Sequence, residues 1–194
     1  MTLRISKNLT LTMGLGALVF FAQGSACLAA ENIKMLTKQN VKEFIEDTTD
    51  ITTTNTQALS PEKIQQYLDI HLDKKARFKS VMKYNMPGMP PQEANLSLDK
   101  DEFMKSVVQG AGAVDGYETL VEITDIKISS DGEKAFVKTQ NTEYATMPVP
   151  TETGGVENVP MEGFSECMQI LLLKKGVIKM YNADCVTNIE FMEY

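Results

Sequence analysis

A predicted β-hairpin close to the C terminus, Glu166 to Phe191, constrains this chain more than any other stretch. Two runs of apolar and β-branched residues, Met168–Leu173 and Val177–Val186, flank the short segment Lys174–Gly176. Gly176 can adopt the positive φ that a tight hairpin loop requires. This pattern predicts two long antiparallel strands at the end of the fold.

Two cysteines lie near the far ends of these strands. If Cys167 and Cys185 face each other directly, the same register pairs Leu171 with Tyr181. Directly paired residues point to one face of a sheet, so both sulfur atoms would lie on that face. The hairpin is therefore predicted to carry a disulfide between its strands.

The first thirty residues have the three parts of a secretory signal peptide. Arg4 and Lys7 give a positive start, Leu9–Ala22 is apolar and uncharged, and Gln23–Ala30 supplies small residues for cleavage. The apolar part is too short to span a bilayer. We therefore expect residues 1–30 to be removed and residues 31–194 to form a single periplasmic or secreted domain.

The cleavage site lies within Cys27–Ala30. Cleavage after Ala29 would place Cys27 and Ala29 at the small-residue positions, which is a better fit than cleavage after Ala30. Two alternatives remain: a lipidated Cys27, although Gly24–Ala26 does not contain the leucine usual in lipoprotein signals, and an uncleaved anchor. Neither is favoured over simple cleavage.

The net charge limits the classes of partner, and the cysteine count favours a disulfide. Loss of Arg4 and Lys7 changes the net charge from −7 to −9 over the remaining 164 residues. An acidic domain repels phosphate, and its one basic cluster, Lys74–Arg77, is not a basic run with interleaved aromatic residues, so nucleic acid is not an expected partner. The two remaining cysteines are an even number in an exported chain, which favours one disulfide over two buried thiols.

Three segments show helical patterns. The first follows Thr37, a capping residue, and the second begins at Ser60-Pro61 and is predicted to continue past Met82. The third begins within Leu96–Asp101, where Asp99 and Glu102 have the spacing of a capping-box variant. We expect three helices in the N-terminal half of the domain.

From residue 117 onward the apolar period changes to two. The phase reverses at Thr124-Asp125, which predicts a β-bulge, and Ser129–Gly132 forms a turn before a strand over residues 134–147. Pro148–Gly163 contains three prolines and adjacent glycines and is predicted to be a flexible hairpin insertion or a loop. The C-terminal hairpin completes the sheet.

Three stretches carry a resemblance to a known family: LDKDEFMKSVVQG at 98–110, YETLVEITDIKISSDGEKAFVKTQNTEY at 117–144, and ILLLKKGVIKMYNADC at 170–185. Together they resemble the nuclear transport factor 2-like superfamily, which has a cystatin-like cone fold. The resemblance implies an α+β domain in which a curved antiparallel sheet of four or more strands wraps around about three N-terminal helices. The superfamily includes isomerases, dehydratases, cyclases, ligand-binding modules and scaffold domains, so the fold does not select a function.

The candidate pocket residues are Tyr67, His71 and Asp125. His71 is the only histidine and follows Tyr67 by one helical turn, so both side chains can face a pocket. Asp125 lies at the predicted bulge, where a carboxylate can be turned inward. The alternatives are a histidine that packs in the core with one hydrogen bond, and an exposed aspartate like Asp184.

No cofactor and no metal site is predicted. Met82, Met86 and Met89 resemble thioether ligands of copper(I), but no histidine or cysteine accompanies them and methionine packs well in cores. The sequence contains no zinc-ligand spacing, serine nucleophile motif or phosphate-binding glycine loop.

The sequence therefore favours an exported, non-catalytic module with a cone-shaped pocket for a small apolar ligand or a protein partner. One alternative is an enzyme like ketosteroid isomerase or a cyclase that uses a pocket histidine or acid. Another is a subunit of an envelope assembly, which would expose an apolar patch or a strand edge. Expected partners are an apolar ligand, an envelope protein or a second copy of the chain, with no membrane span after processing.

Overall fold

The computed structural model describes residues 32–53, 60–85, 90–110, 115–150 and 155–192. The predicted signal peptide and Cys27 lie outside these residues. Within the described residues, three helices and six strands follow in the order α1 (Lys38–Thr53), α2 (Pro61–His71), β1 (Leu72–Asn85), β2 (Gln92–Asp99), α3 (Lys100–Gly110), β3 (Asp115–Ile128), β4 (Lys134–Pro150), β5 (Val156–Lys174) and β6 (Val177–Phe191).

The helices begin where the capping residues predict. The Thr37 hydroxyl accepts a hydrogen bond from the amide of Asn40 at 3.2 Å, and the Asn40 side chain accepts one from the amide of Thr37 at 2.8 Å. At α3, the amide of Asp99 donates to Glu102 and the amide of Glu102 donates to Asp99, both at 3.0 Å. The predicted capping box at Asp99 and Glu102 is therefore confirmed.

The six strands form one curved, open sheet in the order β2-β1-β6-β5-β4-β3. The predicted α+β fold with a curved sheet around three helices is confirmed, but the sheet is mixed. Neighbouring strands are antiparallel except for β1 and β6, which run parallel from Arg77–Asn182 to Asn85–Glu190. The prediction of a purely antiparallel sheet is wrong because β1 was assigned to a helix.

The second predicted helix is too long. The chain leaves the helix at His71 and continues as β1, in which Phe78 and Met82 are buried while Lys79 and Lys83 are exposed. Phe78 and Met82 are four residues apart, and a spacing of four fits both one helical turn and two strand repeats. Only the alternation of the residues between them separates the two assignments.

The predicted disulfide is confirmed. Cys167 and Cys185 pair directly across β5 and β6, with their Cα atoms 4.1 Å apart. The register shifts between Ile170 and Leu171, so that Leu171 pairs with Met180 and not with Tyr181 as predicted. A two-residue loop pairs residues whose numbers differ by three, and in a regular hairpin every further pair also differs by an odd number. Cys167 and Cys185 differ by an even number, so β6 must contain one extra residue between the loop and the disulfide.

The loop itself has the geometry expected from its glycine. Lys175 and Gly176 adopt positive φ angles of 53° and 77° between the paired residues Lys174 and Val177. Two successive positive φ angles are the mark of a type I′ turn, whose twist matches that of the strands.

The predicted bulge in β3 is also confirmed. Ile123 pairs with Thr139 and Asp125 with Lys138, which leaves Thr124 as the extra residue. Gly132 closes the following turn with a φ of 71°.

The region predicted to be a flexible hairpin insertion or a loop, Pro148–Gly163, forms in its described part a hairpin extension of β4 and β5. β4 continues to Pro150, which pairs with Val156 at the start of β5. Among the described residues, the last pair between β3 and β4 joins Asp115 to Thr146. A proline removes a backbone donor, so Pro148 and Pro150 fit a part of β4 whose described pairing is with β5 alone.

The face of the sheet that packs against the helices, called here the inner face, carries two apolar clusters. The first joins the helices to the sheet and includes Val41, Leu68, Phe103, Leu171 and Met180. The second lies at the other end of the strands and consists of Met82, Tyr84, Ala145, Met161, Ile189 and Phe191. The opposite side of the sheet is called the outer face.

A short segment before α1 crosses both hairpin turns. The amide of Ile33 donates to the carbonyl of Gly176 at 3.1 Å, and the amide of Leu36 donates to that of Gly132 at 2.7 Å. A Cβ at position 176 would lie 3.1 Å from the Cα of Asn32 and 2.5 Å from its amide oxygen, and the φ of 77° also disfavours any residue with a side chain.

Candidate functional site

Tyr67 and His71 lie together at the C-terminal end of α2. Their ring centroids are 4.3 Å apart, and the ring of Phe44 on α1 lies 5.5 Å from that of His71. The one-turn spacing of Tyr67 and His71 puts both on the helix face that meets the sheet. The structure thus brings these two candidate residues together.

The imidazole of His71 has one nitrogen fixed by the sheet. Nδ1 lies 3.1 Å from the carbonyl oxygen of Ile178 on β6. Since a carbonyl only accepts, Nδ1 donates and the lone pair of the neutral ring lies on Nε2. Burial lowers the pKa of His71 below 6.5, against the carbonyl bond, which raises it, while the charge of Lys179 lowers it further. The ring is therefore neutral at ordinary pH.

The phenol of Tyr67 is also fixed. Its oxygen lies 2.9 Å from the hydroxyl of Thr48 on α1. Burial raises the pKa of Tyr67 from 10.0 to about 12; the bond to Thr48 acts in the opposite direction, and the charge of Asp47 adds to the increase. The phenol stays protonated and cannot serve as a base at physiological pH.

The cavity between these side chains is small and apolar. Its free volume is about 10 Å³, which is room for about one water molecule. Its lining contains no carboxylate; besides Tyr67 and His71 the lining residues are Phe44, Thr48, Leu68, Leu72, Phe103 and Met180.

The third candidate, Asp125, lies elsewhere. Its carboxylate is 3.2 Å from the Nζ of Lys127, and the side chain is 38% exposed. Asp125 is not among the residues that line the Tyr67–His71 cavity. Asp184 is exposed and accepts a hydrogen bond from the side chain of Asn182 at 2.9 Å.

The methionines considered as copper ligands are divided. Met82 is buried in the second apolar cluster, where its sulfur accepts a hydrogen bond from Tyr84 at 3.3 Å, whereas Met86 and Met89 lie outside the described residues. Within the part of the chain that the structure describes, no group of three or more His, Cys, Asp or Glu side chains could hold a metal ion. The same part has no helix with the length and apolar character needed to cross a membrane.

Comparison with solved structures identifies the fold. A candidate scytalone dehydratase from Novosphingobium aromaticivorans has a TM-score of 0.51 and 11% identity, with 80% of this chain and 87% of that chain covered. A cystatin-like domain of unknown function from Nostoc punctiforme (TM-score 0.45, 10% identity, 77% and 75% covered) and an NTF2-like protein of unknown function from Pseudomonas putida (0.42, 11%, 77% and 84%) are also similar. The chain has the nuclear transport factor 2-like fold. No protein-family model matches the sequence, and no curated relative matches it.

The inner face of this NTF2-like sheet also carries a polar band that the sequence reasoning missed. Between the two apolar clusters lies a set of buried polar side chains, called here the polar floor: Ser80, Thr139, Asn141, Glu143, Ser165, Gln169 and Thr187. Thr139, Asn141 and Glu143 continue the phase of Ala135 and Val137 along β4, but the burial of that phase is known only from the structure, because Phe136 and Tyr144 lie in the other phase.

The outer face of the NTF2-like sheet carries a second missed feature, a set of exposed apolar side chains. They are between 39% and 72% exposed and are called here the outer patch: Leu120, Phe136, Tyr144, Phe164, Met168 and Val186. They lie on the four adjacent strands β3 to β6 and point the same way, with the polar side chains of Lys138, Gln140, Thr142 and Glu166 between them.

Proposed function

We propose that the protein is an exported, non-catalytic module that works through a protein contact on the outer face of its sheet. The observation that carries this proposal is the outer patch. It spans three strand spacings and eight residues of β4, or roughly 14 Å by 27 Å from ordinary strand dimensions. A group of large exposed apolar side chains on one face of a sheet is typical of interaction sites.

A second copy of the chain is the partner that fits best. β1 and β3 each lie two strands away from β5 in the sheet. The outer face of β1 carries Arg77, Lys79 and Lys83, and that of β3 carries Glu118 and Glu122. A twofold axis along β5 would therefore bring the cations of β1 in one copy over the carboxylates of β3 in the other and place Phe164 and Met168 in the centre, with Glu166 between them.

The Tyr67–His71 cavity supports a non-catalytic role. Ligand pockets for small molecules usually enclose several hundred Å³, whereas this cavity has about 10 Å³. General acid–base catalysis of the isomerase type needs a second titrating group within hydrogen-bond distance of the substrate, and no carboxylate lines this cavity. The apolar-ligand and enzyme alternatives are therefore less well supported than a protein contact.

Export is supported by two independent features. The N-terminal thirty residues have the pattern of a secretory signal. The Cys167–Cys185 bond is of a kind that persists in oxidising compartments. Expression of the full chain in bacteria, followed by cell fractionation and N-terminal sequencing, should give a periplasmic or secreted protein that begins within residues 28–31.

Self-association is tested by analytical ultracentrifugation of residues 31–194. Met168→Glu should raise the dimer dissociation constant at least about tenfold because it would bury a charge without a partner. Gln65→Glu adds the same charge on an exposed position of α2 and should leave the constant unchanged. Lys79→Glu should weaken the dimer, and adding Glu122→Lys should restore it.

A wild-type domain that stays monomeric at its highest soluble concentration would contradict self-association. A photo-crosslinker at position 168 that captures a different envelope protein in cells would then assign the outer patch to a heterologous partner. A dimer that is indifferent to Met168→Glu would remove the outer patch from the proposal altogether.

A further inference from the structure

The end of the sheet that carries the β3–β4 and β5–β6 turns is also the end at which the chain enters the domain. The segment before α1 bonds to both turns, and the amide of Leu173 donates to the carbonyl of Glu133 at 2.8 Å. The side chain of Lys174 forms an ion pair with Asp73, which brings the start of β1 to the same place. Four segments that are distant in sequence therefore meet here: residues 32–38, 72–75, 129–134 and 172–179.

Lysine is concentrated in these four segments. They contain eight lysines and three acids and so carry a net charge of +5, whereas residues 31–194 as a whole carry −9 and the remainder of the domain therefore carries −14. Of the three acids, Asp73 is buried against Lys174, and Asp131 accepts hydrogen bonds from the hydroxyl of Ser129 and the amide of Glu133. The eight lysines are called here the basic rim: Lys34, Lys38, Lys74, Lys75, Lys134, Lys174, Lys175 and Lys179.

Much of the basic rim is open to solvent and has uncompensated charge. Lys34, Lys74, Lys75 and Lys175 are exposed and form no ion pair within the described residues. Met35 follows Lys34 in the chain, and its side chain is 54% exposed. The surface thus combines free positive charge with a large apolar side chain, a composition that favours contact with an anionic lipid surface.

From this arrangement we propose that the basic rim docks on the surface of an anionic phospholipid bilayer. The lysines attract the lipid phosphates, and Met35 enters the interfacial layer. The N-terminal chain favours a bilayer over other acidic partners, because only residues 23–31 separate Asn32 from the apolar segment Leu9–Ala22, a reach of at most roughly 30 Å. The rim is therefore the part of the domain that the predicted signal peptide would hold nearest to the membrane before cleavage. Nucleic acid fits the rim less well, since the four segments contain no Phe, Tyr or Trp on which bases could stack.

The negative charge of the whole domain does not prevent this contact, because many of the acids lie far from the rim. Glu118 and Glu162 both pair with Tyr144, ten residues along β4 from Lys134, which is roughly 33 Å at the rise of a strand. The screening length at about 0.1 M salt is only about 10 Å, so a bilayer that touches the rim interacts with the lysines and barely with these carboxylates. The rim is separate from the outer patch, and a twofold axis along β5 would leave the rims of both copies on the same side. Docking therefore does not depend on dimer formation and is compatible with it.

Flotation of residues 31–194 with lipid vesicles tests the proposal. Phosphatidylcholine vesicles with and without about 30% phosphatidylglycerol present the same kind of bilayer and differ in surface charge. At about 0.1 M sodium chloride the domain should bind the anionic vesicles at least about tenfold more tightly than the neutral ones. Raising the salt to about 0.5 M should remove most of this difference, because it screens the lysines.

Two charge reversals and one control locate the contact. Lys34→Glu and Lys175→Glu should each weaken binding to the anionic vesicles at least about fivefold, since a single lysine near such a surface contributes about that factor. Lys63→Glu makes the same change of charge at an exposed position of α2, eight residues or about 12 Å before the end of the helix that meets the rim. This control should leave the affinity within about twofold of wild type. Far-UV circular dichroism and the unfolding midpoint verify that each variant is folded.

A tryptophan reporter identifies the surface that meets the lipid. The chain contains no tryptophan, so Met35→Trp introduces a single one in the rim, and its emission should shift to shorter wavelength when anionic vesicles are added. Leu120→Trp places the reporter in the outer patch at a position that is 72% exposed. Its emission should not change on addition of the same vesicles.

Several results would overturn this assignment. Equal binding to neutral and anionic vesicles, or no binding to either by the folded wild-type domain, would remove an anionic bilayer as the partner. Wild-type affinity in both Lys34→Glu and Lys175→Glu would place the contact elsewhere, and a shift for Leu120→Trp without one for Met35→Trp would place it on the outer patch. Tighter binding to a DNA duplex than to the anionic vesicles would assign the basic rim to nucleic acid.

Discussion

Reduction of the Cys167–Cys185 bond should lower the stability of the domain by a measurable and calculable amount. The two cysteines are 18 residues apart. In the chain-entropy model, opening a disulfide that closes a loop of this size lowers the free energy of unfolding by about 3 kcal/mol. A domain of this length loses roughly 2–4 °C of midpoint temperature per kcal/mol, so the expected decrease is roughly 6–12 °C. That is a large part of the total stability of an ordinary domain.

The assay is thermal unfolding of residues 31–194 followed by circular dichroism, with and without a phosphine reductant. The Cys167→Ala/Cys185→Ala variant is the control, since it has no bond to reduce and its midpoint should not respond to the reductant. Thiol alkylation under denaturing conditions should label no cysteine before reduction and two afterwards. Free thiols in the untreated protein, or an unchanged midpoint after complete reduction, would refute the reasoning.

Three further predictions follow from the Tyr67–His71 cavity and the turns. Burial lowers the pKa of His71 in the folded state, so the stability that His71 contributes is complete above its unfolded pKa of about 6.5 and is lost as pH falls toward the folded pKa. Urea midpoints measured at pH 8, 7, 6 and 5 should therefore fall more steeply for wild type than for His71→Gln. Equal slopes for the two proteins would refute this prediction. Tyr67→Phe removes the bond to Thr48 and should cost about 1 kcal/mol in urea unfolding, so a variant as stable as wild type would show that the bond contributes nothing. Gly176→Ala forces a positive φ on a residue with a Cβ and a clash with Asn32, so it should destabilise by roughly 1–3 kcal/mol, whereas an unchanged midpoint would mean that the turn adopts another conformation.

Local signals in the sequence predicted local structure well. The capping box at Asp99 and Glu102, the bulge at Thr124 and the positive φ of Gly176 each depend on residues within a few positions of one another. Such features are decided by steric and hydrogen-bonding preferences that neighbours alone set. The disulfide between Cys167 and Cys185 belongs with them, since it lies within one hairpin.

Features that depend on distant strands were not predicted. β1 becomes a strand because β6, about a hundred residues later, pairs with it in parallel. No pattern within Leu72–Asn85 identifies β6 as that partner. The polar floor was missed for a related reason. Along β4, polar and apolar residues occur in both phases, so alternation alone does not say which face is buried.

The Tyr67–His71 pair shows how much of the candidate site the sequence could predict. Helical spacing placed both residues on one face of α2, and the structure brings their rings together. The size of the cavity and the absence of a carboxylate from its lining depend on α1, α3 and β6. These elements come from the whole length of the chain, so only the three-dimensional structure could determine what surrounds the imidazole.

The segment that crosses both turns has a consequence for the order of events during biosynthesis. Ile33 and Leu36 are among the earliest residues of the domain to be made, yet their amides donate to the carbonyls of Gly176 and Gly132. Water must solvate the amide of Leu36 until the chain reaches Gly132, and that of Ile33 until it reaches Gly176. The N-terminal segment can therefore lock into place only as a final step, after the hairpins it spans have assembled, and a chain that is released early would keep its leading end loose.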